Sequence, residues 1–351
     1  MKYLKVLLIC IPISFLAIYF KWSSLWIFIL TCVSIVPLAG YLGIATENIA
    51  AYTGPKFGGF LNATFGNATE LIISFFAIRA GLFDLVKASL VGSILGNILL
   101  VLGCSIFFGG LKNKQLKYDK DQGAFTATML LCGVVGLALP AIFTSGIDTT
   151  LITSKYENFS VIISVILLVL YIIGMIYSFK MNDDLYGVEH AEDIDSAWKL
   201  PFSIFILALC TVLIALESEF LVDVIEPMTK SVGINEMFVG LIIIPIVGNA
   251  AEHSTAIIMA LKNKMDIALE IAVGSSLQVT LFVIPVSVII SVFAAASPMS
   301  IVFKPIEIFL IASSVFIANH IVKNGKTNWL EGLKLLSIYT IISVGFFIIP
   351  M

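Results

Sequence analysis

Residues 66–103 read GNATELIISFFAIRAGLFDLVKASLVGSILGNILLVLG, and residues 248–285 read GNAAEHSTAIIMALKNKMDIALEIAVGSSLQVTLFVIP. The two stretches align without a gap at a constant offset of 182. Gly66, Asn67, Ala68, Glu70, Asp84, Val91, Gly92, Ser93, Leu95, Leu99 and Val101 recur as Gly248, Asn249, Ala250, Glu252, Asp266, Val273, Gly274, Ser275, Leu277, Leu281 and Val283, eleven identities in 38 positions. Shared apolar bias accounts for part of this. It does not account for the G-N-A-x-E and V-G-S-x-L clusters, which are small or polar, so the chain carries an internal repeat.

Composition sets the surroundings of that repeat. The chain has 351 residues, of which 59% are hydrophobic and 12% charged, with a mean hydropathy of +1.06. Soluble domains are about 45–50% apolar and about 25% charged. A soluble globular protein, a disordered chain and a nucleic-acid binder are all poor readings, and the excess apolar surface is matched to lipid. Apolar runs bounded by charge, Gly or Pro give eleven spans, at 4–20, 25–45, 57–79, 83–108, 122–143, 159–179, 200–222, 236–261, 265–293, 303–322 and 330–349. At about 20 residues each, such helices leave about a third of the chain for loops, too little for a separate soluble catalytic module. Lys2 and Lys5 precede an apolar run, but no small-x-small cleavage site follows, so the run reads as a retained first helix. The five cysteines lie in apolar runs without a C-x-x-C pair and read as small buried hydrophobes.

With the N-terminus placed in the cytoplasm, fourteen lysines fall inside and six Lys or Arg outside, which favours N-in and C-out. Glu70 then lies on the third span, running outward, and Glu252 on the eighth, running inward. The repeats have opposite topology, the arrangement of secondary transporters with a mid-membrane site. The fold expected is an all-α polytopic membrane protein of about eleven transmembrane helices. Its parts are an extra N-terminal helix in 1–22, a first five-helix repeat in 23–180, an acidic cytoplasmic linker in 181–199 and a second, inverted five-helix repeat in 200–351.

Both glutamates fall near mid-span, where an ionised side chain costs about 2.5–3.5 kcal/mol or more and needs compensation. No Lys or Arg lies in the central part of either span. Gly66-Asn67 and Gly248-Asn249, just ahead of each Glu, are poor helix formers, and Pro245 removes a helix hydrogen bond. Locally broken helices expose backbone carbonyls that can serve a cation beside the carboxylates. Asn67 and Asn249 either ligate the ion or satisfy freed backbone groups. Hard oxygen ligands without soft ones favour Ca²⁺ over Zn²⁺ or Cu⁺, with Mn²⁺, Na⁺ and K⁺ as other passengers. Two carboxylates neutralise one Ca²⁺ or accept about two protons, so the two cargoes compete. In the next span of each repeat, Gly92-Ser93 and Gly274-Ser275 suit close helix packing or ion contact. Asn97 and Gln278 are polar in apolar surroundings and suit orienting the acids, although Asn97 aligns with Val279 and Gln278 with Gly96. His253 points about 100° around the helix from Glu252; it is a structural histidine or a proton relay. Glu47 reads as a loop or gate residue at the end of the second span.

Taken together, Gly66-Asn67-Ala68-Thr69-Glu70-Leu71-Ile72, Gly92-Ser93-Ile94-Leu95-Gly96-Asn97, Gly248-Asn249-Ala250-Ala251-Glu252-His253 and Gly274-Ser275-Ser276-Leu277-Gln278 resemble the calcium/proton exchanger family of the calcium/cation antiporter superfamily. The resemblance extends over nearly the whole chain. It implies alternating access, Ca²⁺ exported against proton entry, and Glu70 and Glu252 as the paired ion-binding acids. It also implies an acidic helix in the linker, where Asp183, Asp184, Glu189, Glu192, Asp193 and Asp195 are clustered; these either attract cytosolic Ca²⁺ or form a solvated linker. The cluster Glu217, Glu219, Asp223 and Glu226, read as outer, invites the same alternatives.

A cation channel would use similar oxygens, and a Na⁺-coupled exchanger is the rival within the class. An intramembrane hydrolase lacks a visible nucleophile or metal triad, so the chain reads as no enzyme. The expected partners are Ca²⁺, H⁺ and the lipid bilayer, without nucleic acid; a homo-oligomer stays open. The compact length points to a bacterial cell membrane.

Overall fold

The computed structural model describes residues 2–53, 58, 61, 62, 64–144, 153–181 and 198–349. The expected acidic linker lies outside the described residues from 182 to 197. The described chain is helical nearly throughout. Its helices are α1 (Lys2–Leu7), α2 (Cys10–Tyr19), α3 (Ser24–Thr53), α4 (Ala68–Arg79), α5 (Phe83–Asn113), α6 (Lys120–Thr144), α7 (Thr153–Met181), α8 (Leu200–Val232), α9 (Glu236–Gly248), α10 (Ala250–Leu261), α11 (Met265–Ala294), α12 (Pro305–Val322) and α13 (Trp329–Ile348).

Eight helices among the described residues are long and apolar enough to cross a bilayer: α3, α5, α6, α7, α8, α11, α12 and α13. The pair α9–α10, bent by 62° at its break, passes the same test together, as a broken span or a re-entrant loop. The first expected span is a short apolar helix over Leu4–Tyr19, and the third is represented by α4, with part of it outside the described residues. Two expected ends move. Helix α3 continues to Thr53, so Glu47 is helical and not in a loop. Helix α8 continues past the expected end at 222 to Val232, which puts Asp223 and Glu226 on the same helix as Glu217 and Glu219. Scattered acids do not stop a helix; this one stops at Gly233, whose φ of +75° is the left-handed cap that glycine adopts without cost.

The chain divides into two compact units. The first comprises Met1–Phe76, Leu170–Gly233 and Val247–Ala251. Its centre is the packing of α3 on α8. Leu38 and Leu42 of α3, Ala68 of α4, and Cys210 and Ile214 of α8 form a buried apolar cluster. Helix α2 packs on α3, and Phe15 meets Phe220 of α8 edge to face.

The second unit comprises Ala77–Val169, Ile234–Ile246 and Glu252–Met351. Helix α5 runs through it and packs against α9 and α13, and α6 packs on α12. The approach of α5 to α9 depends on Gly92, where an added Cβ would lie 2.1 Å from the Leu241 carbonyl oxygen. A two-residue antiparallel pair, β1 (Leu116–Lys117) with β2 (Lys326–Thr327), ties two loops together, and the Tyr118 hydroxyl donates to the Ile321 carbonyl at 2.8 Å.

Four short π-helical turns interrupt the long helices of this unit, at Gly96–Val101, Val239–Ile243, Glu270–Gly274 and Val279–Val283. Each inserts wider i→i+5 bonds; Leu102 N–H, for example, donates to Asn97 O, and Ile284 N–H to Val279 O. The first and last are repeat equivalents offset by one residue at their starts, since Gly96 aligns with Gln278. Such turns are common where a helix serves a functional site.

Candidate ion-binding site

Each motif glutamate stands at the start of a helix, immediately after a break. Gly66 and Asn67 leave the helical path, and α4 starts at Ala68, so Glu70 falls in its first turn. Asn249 is the break between α9 and α10, and Glu252 falls in the first turn of α10. The sequence dictates this, because Gly and Asn weaken the helix at the same two places. A helix N-terminus presents unpaired N–H groups and the positive end of the helix dipole, a favourable place for a carboxylate. The helix that ends just before it presents carbonyl oxygens, the complementary ligands for a cation.

The first unit brings five of the expected residues together. Glu70, Asn67 and Asn249 are all buried there. Asn249 faces the Glu70 carboxyl through its side chain. Gly248 lies so close that an added Cβ would sit 3.8 Å from Glu70 Oε1. Neither Glu70 carboxyl oxygen completes a hydrogen bond of ordinary geometry within the protein, although both are buried. Asn67 carries the chain through the break, its carbonyl accepting from Leu71 N–H at 3.1 Å, while Gly66 N–H donates to Asn62 O at 2.8 Å. The acid of the first repeat is thus lined by the helix break of the second.

In the second unit, Glu252 and His253 are half-buried, and His253 Nε2 is buried without a hydrogen-bond partner. Asn97 Nδ2 donates to Ser275 Oγ at 3.1 Å, again joining one repeat to the other. Asn97 Oδ1 has no partner. Ser93 is buried in α5, and Gln278 is half-buried at the start of the last π-helical turn. The one-residue mismatch between Asn97 and Gln278 falls where the two π-helical turns start one residue apart.

Sequence reasoning missed three features. Thr69, between Asn67 and Glu70, is buried with its methyl on the Gly248 side of the site; its place inside the G-N-A-T-E string was the available signal. The π-helical turns have no compositional signature. Glu217 is fully buried in the middle of α8, where the sequence alone groups it with an outer acidic cluster.

Comparison with known proteins places the chain in a family. The sodium/calcium exchanger protein family matches residues 23–180 and 202–348. The chain is 42% identical over 344 residues to the Ca²⁺/H⁺ antiporter ChaA of Bacillus subtilis, covering 97% of each chain. It is 39% identical over 369 residues to a Ca²⁺/H⁺ antiporter of Synechocystis, covering 99% of this chain and 98% of that one. The solved structure of native YfkE superposes with a TM-score of 0.85 at 39% identity, covering 99% of both chains. With the family model matching both halves of the chain, and Ca²⁺/H⁺ antiporters about 40% identical over nearly its whole length, this chain belongs to the sodium/calcium exchanger protein family.

Proposed function

We propose that the chain is a Ca²⁺/H⁺ antiporter, an integral membrane transporter that moves Ca²⁺ and protons in opposite directions by alternating access. The observation that carries this reading is the placement of Asn249 and Gly248 against the Glu70 carboxyl. It sets the acid of one repeat at the break of the other, three residues ahead of Glu252. Full-length similarity to named Ca²⁺/H⁺ antiporters supports the choice of cargo.

Glu70 and Glu252 supply the carboxylates, and Asn67 and Asn249 supply amide oxygens. Carbonyls at the ends of the interrupted helices complete a hard-oxygen site of the kind Ca²⁺ takes. Gly66 and Gly248 allow the breaks. Ser93, Asn97, Ser275 and Gln278 hold the neighbouring helices and orient the acids, and His253 relays protons. Ca²⁺ binding displaces two protons, and two protons displace Ca²⁺, which couples the flows. The architecture is two inverted five-helix repeats after an extra N-terminal helix, eleven crossings in all. The N-terminus is cytoplasmic and the C-terminus outside, with Ca²⁺ exported across a bacterial cell membrane. The acidic stretch within 181–199 concentrates cytosolic Ca²⁺ at the entrance.

The test is Ca²⁺ flux in proteoliposomes under an imposed pH gradient, with and without Na⁺, for the wild type, Glu70→Gln and Glu252→Gln. Uphill Ca²⁺ movement that needs the pH gradient, ignores Na⁺ and vanishes in both variants is expected. Purely downhill flux means a channel, a Na⁺ requirement means a sodium-coupled exchanger, and unchanged variants refute the shared site.

A further inference from the structure

Glu217 is a second buried acid that the exchange site does not use. It sits at the middle of α8, with no exposed surface. Among the described residues it has no ion-pair partner, and its Oε2 makes no hydrogen bond of ordinary geometry. What surrounds it is hydroxylic. Ser14 of α2 lies 2.6 Å from Oε1, Ser34 of α3 faces the carboxyl, and Ser218 is buried next to it in sequence. Cys10 of α2 lies within electrostatic reach. Helix α3 presents the Ser34 hydroxyl, with its own acid, Glu47, about 20 Å further along the helix, and α8 carries Glu219, Asp223 and Glu226 further along.

The hydrogens around Ser14 can be counted. Its Oγ lies 2.6 Å from Glu217 Oε1 and 2.6 Å from the Ile11 carbonyl oxygen. A carbonyl only accepts, and an ionised carboxylate only accepts. A serine has one hydrogen, so beside an ionised Glu217 the two short contacts have to share it in a three-centre bond. The carboxylic acid form of Glu217 supplies a second hydrogen and satisfies both contacts, by donating to Ser14 while Ser14 donates to Ile11. Burial without a cation favours the same neutral form.

We propose that Glu217 is a proton-binding site separate from the exchange site, and that its proton latches the N-terminal helix α2 onto α3 and α8. When the proton leaves to water, the carboxylate has no cation to pair with and must hydrate, which loosens α2. The proton on Glu217 therefore sets how freely these helices move, and gives exchange a pH dependence beyond competition at the Ca²⁺ site.

The test has two arms. Infrared difference spectra of the purified full-length protein in nanodiscs read the protonated-carboxyl C=O band at pH 7, in a Glu70→Gln/Glu252→Gln background that silences those two acids. The band is expected to lose one component in Glu217→Gln. Ca²⁺ uptake in proteoliposomes, with the exchange site intact, is measured against symmetric pH. Glu217→Gln keeps a donor to Ser14 and is expected to retain transport at pH 7 while losing one pH-dependent limb of the wild-type profile. Ser14→Ala removes the latch but leaves the acid and is expected to shift that limb by about one pH unit, the weight of one hydrogen bond. A band unchanged in Glu217→Gln, or pH profiles of both variants that superpose on the wild type, overturns the proposal.

Discussion

Replacing Gly92 by Ala asks the structure for space that it does not have. The added Cβ would lie 2.1 Å from Leu241 O, 2.7 Å from Leu241 C and 2.6 Å from Pro245 Cγ. Ordinary contacts begin at about 3.4 Å, so α5 and α9 must separate by about 1 Å. The obstacles are backbone and a proline ring, neither of which can turn aside as a flexible side chain would. Overpacking of this kind costs about 1–3 kcal/mol, and the rigid neighbours place Gly92→Ala at the upper end, about 3 kcal/mol. Its better helix propensity returns at most about 1 kcal/mol. The net loss is about 2 kcal/mol, a fall of about 3 °C in the midpoint of thermal unfolding for a chain of 351 residues. Gly43→Ala is the control. It lies inside α3, an added Cβ meets nothing within 4 Å, and it should be neutral or slightly stabilising. Thermal unfolding in detergent, read by size-exclusion chromatography, separates the two. A Gly92→Ala protein as stable as Gly43→Ala would show that the small residue of the V-G-S motif does not serve close packing.

Three further outcomes are expected. If two protons and one Ca²⁺ share the carboxylates, the apparent Ca²⁺ dissociation constant should rise about 100-fold per pH unit at the acid limit, and a slope of ten or less by equilibrium Ca²⁺ binding refutes two-proton competition. Asn97→Leu removes the donor to Ser275 in a buried site and should cost about 1–3 kcal/mol of stability by thermal unfolding; a variant indistinguishable from wild type means that the bond is not structural. Asp84→Asn breaks the ion pair with Lys304, 2.9 Å long and exposed at both ends, and should change stability by less than about 1 kcal/mol, with a larger loss pointing to a role that exposure does not suggest.

How far the sequence could be read depended on which signals are local. Apolar run length locates helices because the bilayer core has a fixed thickness, and Gly-Asn ahead of an acid locates helix breaks because both residues weaken the helix there. The helix breaks just ahead of Glu70 and Glu252 were accordingly legible. Helix ends were less so. The acids at 217–226 looked like the edge of the membrane, but α8 runs through them to Gly233, because an acid can remain in a helix when neighbours satisfy it. Glu217 has Ser14, on a helix 203 residues away in the chain, and no window of sequence contains both. The π-helical turns of α5, α9 and α11 were invisible as well, since no residue type or spacing marks them in the sequence.

The placement of the acids also bears on leakage, which any exchanger must suppress. A transporter that changes conformation with its site empty and ionised would carry charge without coupling. Glu70 is buried, with neither carboxyl oxygen in an ordinary hydrogen bond. Its ionised form is supported by the first turn of α4 and the Asn249 amide, contributions of about 1 kcal/mol each. Carrying an uncompensated charge through the membrane interior costs several kcal/mol. With Glu70 as the Ca²⁺-binding acid proposed above, local dipoles suffice to let it ionise when Ca²⁺ arrives, but not to let it stay ionised when Ca²⁺ has gone. The step with neither cargo bound is the expensive one, and the penalty follows from the burial that the repeat's helix breaks create. Replacing Asn249 by Asp would place a second acid beside Glu70 and raise that penalty in the absence of Ca²⁺. Proton uptake on Ca²⁺ release, measured with a pH dye in lightly buffered detergent solution, should rise from about two to about three per ion in Asn249→Asp. A count unchanged at two would mean that Asn249 does not share the electrostatic environment of Glu70.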